Sequence, residues 1–357
     1  MKILIDINHP AHVHYFRNFI KIMEKKGHEF LIISRNKEIE HYLLNKYNIP
    51  FFDRGKGENN LIGKSLYYFK ACYLIFNKAK IFNPDIMLSF GSPYVSFVSK
   101  LINKPHIIFN DTEHAKLSHF LSDPFSKCIL TPSCYNKDLG KKQIRFNGYM
   151  ELCYLHPNYF TPDPAILDLL KVKNDEKYVI MRFVSWNASH DIGHSGLSLE
   201  MKRNAVKELS KYAKVFISSE GELPEDLQKY QIKIPPEKMH DALAFATLFV
   251  GEGATMASEC ACLGTPAIYV NSLAVGYCTE EDIKYNLIFN FRNSEGVIEK
   301  AIELLNTPNL KQEFQQRRQK MLSDKIDVTA FMVWFVENYP ESAKIMKENP
   351  EYQWSFR

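Results

Sequence analysis

No apolar run in the 357-residue chain is long enough to span a bilayer, which excludes an integral helical membrane protein. The seven cysteines are odd in number and follow no paired spacing. A disulfide framework is therefore not expected, and with no signal-peptide pattern at the start the reading is a reduced, cytoplasmic setting. Charge of one sign is also scarce, 45 basic against 41 acidic side chains leaving +4. No RNA-binding or helix-turn-helix signature accompanies it, so nothing argues for nucleic acid, while anionic substrates or an anionic membrane surface are permitted. No internal repeat is evident. Cys260-Ala-Cys262 reads as small packing residues on a helix rather than metal ligands.

What is present is an alternation of strand and helix signals. Lys2–Ile7 reads as a strand, Pro10–Lys26 as a helix stopped by Gly27, and Glu29–Ser34 as the next strand, an opening that implies a parallel sheet. The alternation continues to a last strand at Cys128–Pro132, giving one Rossmann-like, doubly wound domain over 1–150. Proline-punctuated chain from Glu151 to Asn174 reads as a linker. A second Rossmann-like unit follows from Tyr178, so a second domain is expected over 151–325, and the final apolar segment within 326–357 needs burial against something already folded. The helix Leu61–Lys80, rich in Leu, Ile, Tyr and Phe with interspersed lysines, is either half-buried or a peripheral membrane contact.

The stretch Leu248–Val270 carries the most chemistry. A short apolar strand, a turn at Gly251 and Gly253, a helix opening near Thr255 and a glycine stop at Gly264 make a strand-turn-helix unit. A helix N-terminus presents unpaired N–H groups and a positive dipole end, and glycine admits an anion to the backbone, so a phosphate fits at Gly251, Gly253, Ala254 and Thr255. Tight packing alone would also demand small residues there. Glu259, one turn beyond Thr255, can reach a ribose hydroxyl beside that phosphate, with Ser258 adjacent.

Ligands of open α/β sheets bind beyond the carboxyl ends of the strands. After the first strand comes Asn8-His9-Pro10-Ala11-His12-Val13-His14, and a neutral His12 in the first helical turn suits general-base work. A metal reading of Asp6, His9, His12 and His14 requires Asp6, which is expected to point into the sheet. The loop running from Arg182 through Asn187 and His190-Asp191 to His194 superficially suggests metal ligands, but Arg182 or Asn187 donating to a diphosphate suits its place better. Ser92 and Tyr94 in one loop, with Asp111 and Glu113 in another, would shape an acceptor pocket. Helix capping would account equally for Asp111 and Thr112.

Taken together, these segments resemble the GT-B superfamily of glycosyltransferases, particularly the lipid-intermediate N-acetylglucosaminyltransferase of peptidoglycan synthesis. Pro10-Ala-His12-Val is similar to its Gly-Gly-His-Val turn, and Asn83-Pro-Asp-Ile-Met-Leu-Ser-Phe-Gly91-Ser-Pro-Tyr-Val-Ser96 to its Pro-Asp-Val-Val-Leu-Gly-Met-Gly-Gly-Tyr-Val-Ser segment. Gly253-Ala-Thr-Met-Ala-Ser-Glu259-Cys-Ala-Cys-Leu-Gly264-Thr-Pro-Ala resembles its Gly-Ala-Leu-Thr-Val-Ser-Glu signature. The chain looks more similar still to an uncharacterised archaeal and bacterial family of GT-B-like proteins.

The resemblance implies two doubly wound parallel-sheet α/β domains facing a cleft, an acceptor domain over 1–150 and a nucleotide-sugar donor domain over 151–325, with the helical segment 326–357 packing back on the first. It also implies His12 as base, Glu259 on the donor ribose and the Gly253-Ala254-Thr255 turn on the diphosphate. Departures are Pro10-Ala11 for the glycine pair, Val184–His190 for a glycine-rich loop, and no clear sugar-reading pair, where Glu280, Glu281 and Asn286 are candidates. The implied activity is inverting, metal-independent transfer from a nucleotide-diphosphate sugar such as a UDP-sugar to a glycan or lipid-linked hydroxyl, with no cofactor, at the inner membrane face. The alternatives are a UDP-N-acetylglucosamine 2-epimerase-like isomerase and a non-catalytic nucleotide-sugar-binding protein.

Overall fold

The computed structural model describes residues 1–37, 39–58, 60–184 and 197–357. The chain forms two compact units, Met1–Tyr154 together with Ile326–Arg357, and Leu155–Lys325.

The first unit is built on a sheet of strands β1 (Lys2–Ile7), β2 (Glu29–Ser34), β3 (Phe51–Asp53), β4 (Ile86–Phe90), β5 (His106–Phe109), β6 (Cys128–Pro132) and β7 (Gln143–Phe146). All pairings are parallel, in the order β3-β2-β1-β4-β5-β6-β7. β1 lies inside the sheet, between β2 and β4, and its near-continuous apolar run suits a strand covered on both faces. Helices α1 (Pro10–Lys25), α2 (Glu40–Lys46), α3 (Leu61–Phe82), α4 (Pro93–Leu101) and α5 (Lys116–Ser122) connect the strands.

Two expectations need correction here. Cys128–Pro132 is not the last strand, because Gln-Ile-Arg-Phe adds β7 as an edge with only alternate residues buried. Nor do Asp111 and Thr112 cap a helix directly. The Asn110 Oδ1 accepts the Thr112 N–H at 2.9 Å, closing a local turn, and α5 begins only at Lys116 with no side-chain cap.

The second unit is a parallel sheet of β8 (Tyr178–Phe183), β9 (Lys214–Ser219), β10 (Leu248–Gly251), β11 (Ala267–Val270) and β12 (Ile288–Phe291), ordered β12-β11-β10-β8-β9. Short helices α6 (Leu152–Leu155) and α7 (Ile166–Leu170) interrupt the stretch read as a linker. That stretch is pinned rather than loose: the Asp163 N–H donates to Asp241 at 2.9 Å and Lys238 donates to the Asp163 carboxylate at 2.9 Å. Helices α8 (Leu199–Leu209), α9 (Glu225–Gln228), α10 (Met239–Phe245), α11 (Ala254–Leu263), α12 (Gly276–Ile283), α13 (Val297–Asn306) and α14 (Leu310–Asp324) complete the unit. α11 ends at Gly264, whose φ of +73° is the left-handed conformation glycine adopts without penalty.

The chain then rejoins the first unit, where the Ile326 N–H donates to the Asn147 carbonyl at 3.0 Å. Helix α15 (Val328–Glu337) is apolar on nearly all sides and so needs burial; it packs on α1, with Phe331 and Phe335 inaccessible to solvent. Helix α16 (Glu341–Glu348) follows.

Candidate functional site

Each sheet reverses its strand order once, between β1 and β4 in the first unit and between β8 and β10 in the second. Crevices at such points are where open α/β sheets hold ligands.

In the first unit, the carboxyl ends of β1 and β4 meet around Asp6, whose side chain is wholly buried and ion-paired to the equally buried Arg54, Nε to Oδ1 3.0 Å. The other oxygen accepts from the Ser92 hydroxyl at 2.5 Å and the Asn8 amide at 3.1 Å. Arg54 donates to the Tyr67 hydroxyl at 2.6 Å and to the Asn8 side-chain oxygen, and lies 4.5 Å from the centre of the Tyr94 ring. Asp6 does lie inward, as expected, but its work there is to orient Arg54, Ser92 and Asn8.

Asn8 links this network to His12. Its backbone N–H donates to His12 Nδ1 at 3.4 Å, and a backbone N–H can only donate, so the neutral ring carries its proton on Nε2. Burial, with His9 and Lys37 nearby, holds the imidazole well below its ordinary range, and its ring packs 4.8 Å from Phe90. His12 is thus a neutral side chain at physiological pH. His9 serves as the α1 cap, accepting the Ala11 N–H at 3.2 Å.

Of the residues expected on an acceptor side, Ser92 and Tyr94 join this network. Asp111 and Glu113 follow the end of β5. Burial and the neighbouring Glu113 raise the Asp111 carboxyl toward neutrality, while the Thr112 hydroxyl, donating at 2.9 Å, opposes the shift. Glu113 accepts the Asn136 N–H at 3.2 Å.

In the second unit, the turn Gly251-Glu252-Gly253 joins β10 to α11. A β-carbon at Gly251 would lie 2.6 Å from the Phe249 ring tip and 2.8 Å from the Arg182 Cβ, so only glycine lets β10 approach β8 there. Gly251→Ala is expected to lower stability by about 1–3 kcal/mol, read as a fall in the Tm. An unchanged Tm would show that the two strands have room to part.

No side chain caps α11, which leaves its first-turn N–H groups at Ala254 and Thr255 for an anion. Side chains cap α1, α3, α4, α8 and α15, while α9, α10, α12, α13 and α14 share the uncapped start of α11. Ser258 donates to Glu281 at 2.7 Å, and Glu259 bonds the His240 ring at 3.0 Å, all four side chains being buried. Glu280 is ion-paired with Lys325 at 2.6 Å. Arg182 donates to Ser218 and to Glu220, each at 2.8 Å. Asn187, His190, Asp191 and His194 lie outside the described residues.

Sequence reasoning missed Arg54, Tyr67, His240 and Glu252. Glu252, its side chain closed to solvent, accepts the Val184 N–H at 3.1 Å and the Leu197 N–H at 2.6 Å, with Lys202 at 3.1 Å, and so holds Val184 and Leu197 on one carboxylate. An acid flanked by glycines after an apolar strand was its only signal.

A family model described as a protein of unknown function (DUF354) matches residues 1–341. The chain belongs to this family. An uncharacterized protein of Methanocaldococcus jannaschii is 26% identical over 279 residues, 75% of this chain and 81% of that one. Among solved structures, a UDP-GlcNAc 2-epimerase from Neisseria meningitidis bound to UDP-GlcNAc superposes with a TM-score of 0.66 at 11% identity, over 88% of this chain and 94% of that one. A spinosyn rhamnosyltransferase complexed with spinosyn aglycone gives 0.59 at 13% identity, over 95% and 100%. This DUF354 chain therefore has the two-unit, parallel-sheet α/β architecture of GT-B-like glycosyltransferases and UDP-GlcNAc 2-epimerases.

Proposed function

We propose that the protein is an inverting, metal-independent glycosyltransferase that takes a sugar from a nucleotide-diphosphate sugar, a UDP-sugar, and passes it to a hydroxyl of a glycan or lipid-linked acceptor, as the lipid-intermediate N-acetylglucosaminyltransferase does. The observation that carries this reading is the uncapped α11 N-terminus behind the Gly251-Glu252-Gly253 turn, at the strand-order reversal of the second unit. Diphosphate charge grows as the glycosidic bond to the donor breaks, and fixed N–H dipoles meet it without a metal. Glu259, with His240 fixing one oxygen, offers its carboxylate to the ribose. The first unit supplies the base. His12 stays unprotonated at neutral pH, and giving up the long Asn8 contact frees the ring to present a lone pair to the acceptor hydroxyl. In this reading the protein works in the cytoplasm at the inner membrane face.

UDP or a UDP-sugar is expected to raise the Tm, since a ligand of the native state stabilises by mass action. His12→Ala is expected to lower kcat by roughly 10²–10⁴-fold. No shift with any nucleotide sugar, or transfer unchanged in His12→Ala, would sink the proposal.

The Asp111 carboxyl, raised toward neutrality, favours a second reading, isomerisation of the nucleotide sugar itself. Moving a proton off and back onto a sugar carbon needs a group that both accepts and donates near pH 7. Incubating UDP-N-acetylglucosamine with the protein alone separates the two by NMR, because only an epimerase turns over without an acceptor.

A further inference from the structure

Helix α3 has no acidic residue from Leu61 to Phe82 and carries four lysines, Lys64, Lys70, Lys78 and Lys80. Its inner side is used by the first unit, where Tyr67, Ala71, Ile75 and Ala79 are buried. Its outer side is apolar and open. Ile62, Leu66, Phe69 and Tyr73 are between 66% and 76% exposed. With 3.6 residues per turn, these four fall within an arc of about 60°, and Lys80 continues the same line.

The line ends at a groove of about 300 Å³ lined by Phe76, Lys80, Asn83, Leu101, Ile102 and Lys104, which sets two lysines among apolar side chains. The ammoniums of Lys78 and Lys80 lie over the Phe52 and Phe76 rings, at 4.2 and 4.6 Å. The neighbouring helices continue the bias: α4 and α5 also lack acidic residues, carry Lys100 and Lys116, and α5 exposes Leu117 and Phe120. In a chain with 45 basic and 41 acidic residues, three adjacent helices without one acid make a local cationic and apolar face.

A row of open apolar side chains of this length marks a binding surface. Positive charge beside it selects an anionic partner, and aromatic residues alternating with lysines suit a headgroup layer, where rings sit at the boundary and ammoniums meet phosphates. Among the described residues no helix is long and apolar enough to cross a membrane. α3 would therefore lie on a bilayer.

We propose that this face of the first unit, the Ile62-Leu66-Phe69-Tyr73 stripe with the Lys80–Lys104 groove, docks on an anionic phospholipid surface. The proposal deepens the transferase reading by placing its lipid-linked acceptor within reach, but vesicle binding itself needs no nucleotide.

The test is sedimentation with vesicles of phosphatidylcholine alone and of phosphatidylcholine with roughly 30% phosphatidylglycerol, at low and high salt. The protein is expected to bind the anionic vesicles at least about tenfold more tightly, and to lose that preference in high salt. Leu66→Ser/Phe69→Ser and Lys70→Glu/Lys80→Glu should each weaken binding by about tenfold or more. Both should keep the far-UV circular dichroism and any UDP-induced Tm shift, because the replaced side chains are exposed and outside the nucleotide turn. Equal sedimentation with and without anionic lipid, or binding unchanged in both variants, overturns the proposal. A dimer abolished by Leu66→Ser/Phe69→Ser, with no vesicle binding, also overturns it and assigns the face to a second copy of the chain. Vesicle binding without any nucleotide-induced shift would instead count against the transferase alone.

Discussion

Replacing Arg54 with methionine is expected to destabilise the first unit by about 3–5 kcal/mol, far more than an exposed ion pair would cost. The size follows from burial. Asp6 and Arg54 are both closed to solvent, and without the guanidinium the carboxylate keeps only the Ser92 hydroxyl and the Asn8 amide as partners in a dry sheet end. A lone buried carboxylate must either bear a large desolvation cost or take up a proton.

Arg54→Lys should fall between wild type and Arg54→Met. An ammonium keeps the charge, but it has no planar fork to reach Asp6, Tyr67 and Asn8 together. Asp6→Asn combined with Arg54→Met should recover a good part of the loss, since neither charge is then left alone. Urea unfolding of wild type, both single variants and the double variant measures this, and a coupling energy of about 2 kcal/mol or more is expected. Single losses below about 1 kcal/mol that simply add would show that water reaches the pair.

Stability should also fall as the pH is raised from about 5 to about 8.5, and Glu281 should be a main cause. Burial lifts its carboxyl from the ordinary 4.5 to about 8, against smaller opposing effects of the Ser258 hydroxyl and Lys325. Glu40 is raised to about 8 in the same way. The native state therefore holds protons that the unfolded chain releases above pH 4.5. Their contribution is fully present below that value and is lost as the pH climbs through about 8. Glu281→Gln keeps an oxygen for the Ser258 hydroxyl and removes the titration. It should be near neutral at pH 5 and more stable than wild type at pH 8.5, by an amount on the order of 2–4 kcal/mol. Thermal unfolding of both proteins at the two pH values checks this. Parallel loss of Tm in both would mean that Glu281 is already ionised in the native state.

Much of the architecture was legible because its signals are local. β1, α1 and β2 announce themselves by an apolar run, a proline at a helix start and Gly27 after its end, and the β10–α11–β11 unit by Gly251, Gly253 and Gly264. β7 and β12 were not legible, being four-residue strands in which only part of each run is buried. The glycine turn of the second unit could likewise be found from spacing. Arg54 could not, since Asp6 with Asn8, Tyr67 and Tyr94 converge on it from three separate stretches of chain. The one hint was Asp6 itself, a lone acid in an otherwise apolar central strand, which physically requires a buried partner. His240 beside Glu259 was hidden for the same reason, as pairing across helices leaves no periodic trace.

The return of the chain at Ile326 has a consequence for biosynthesis. Leu155–Lys325 forms one uninterrupted piece, whereas the first unit needs Met1–Tyr154 and Ile326–Arg357 together. At roughly 5–20 residues per second, a ribosome that has finished Tyr154 spends on the order of ten to thirty seconds making the intervening unit before α15 emerges. Throughout that interval the surface of α1 and Phe146 that α15 covers stays open. The order of completion is therefore the reverse of the order of synthesis. The second unit can close its core while the first still waits for its final helix, and it is the nascent first unit that chaperones would have to shield.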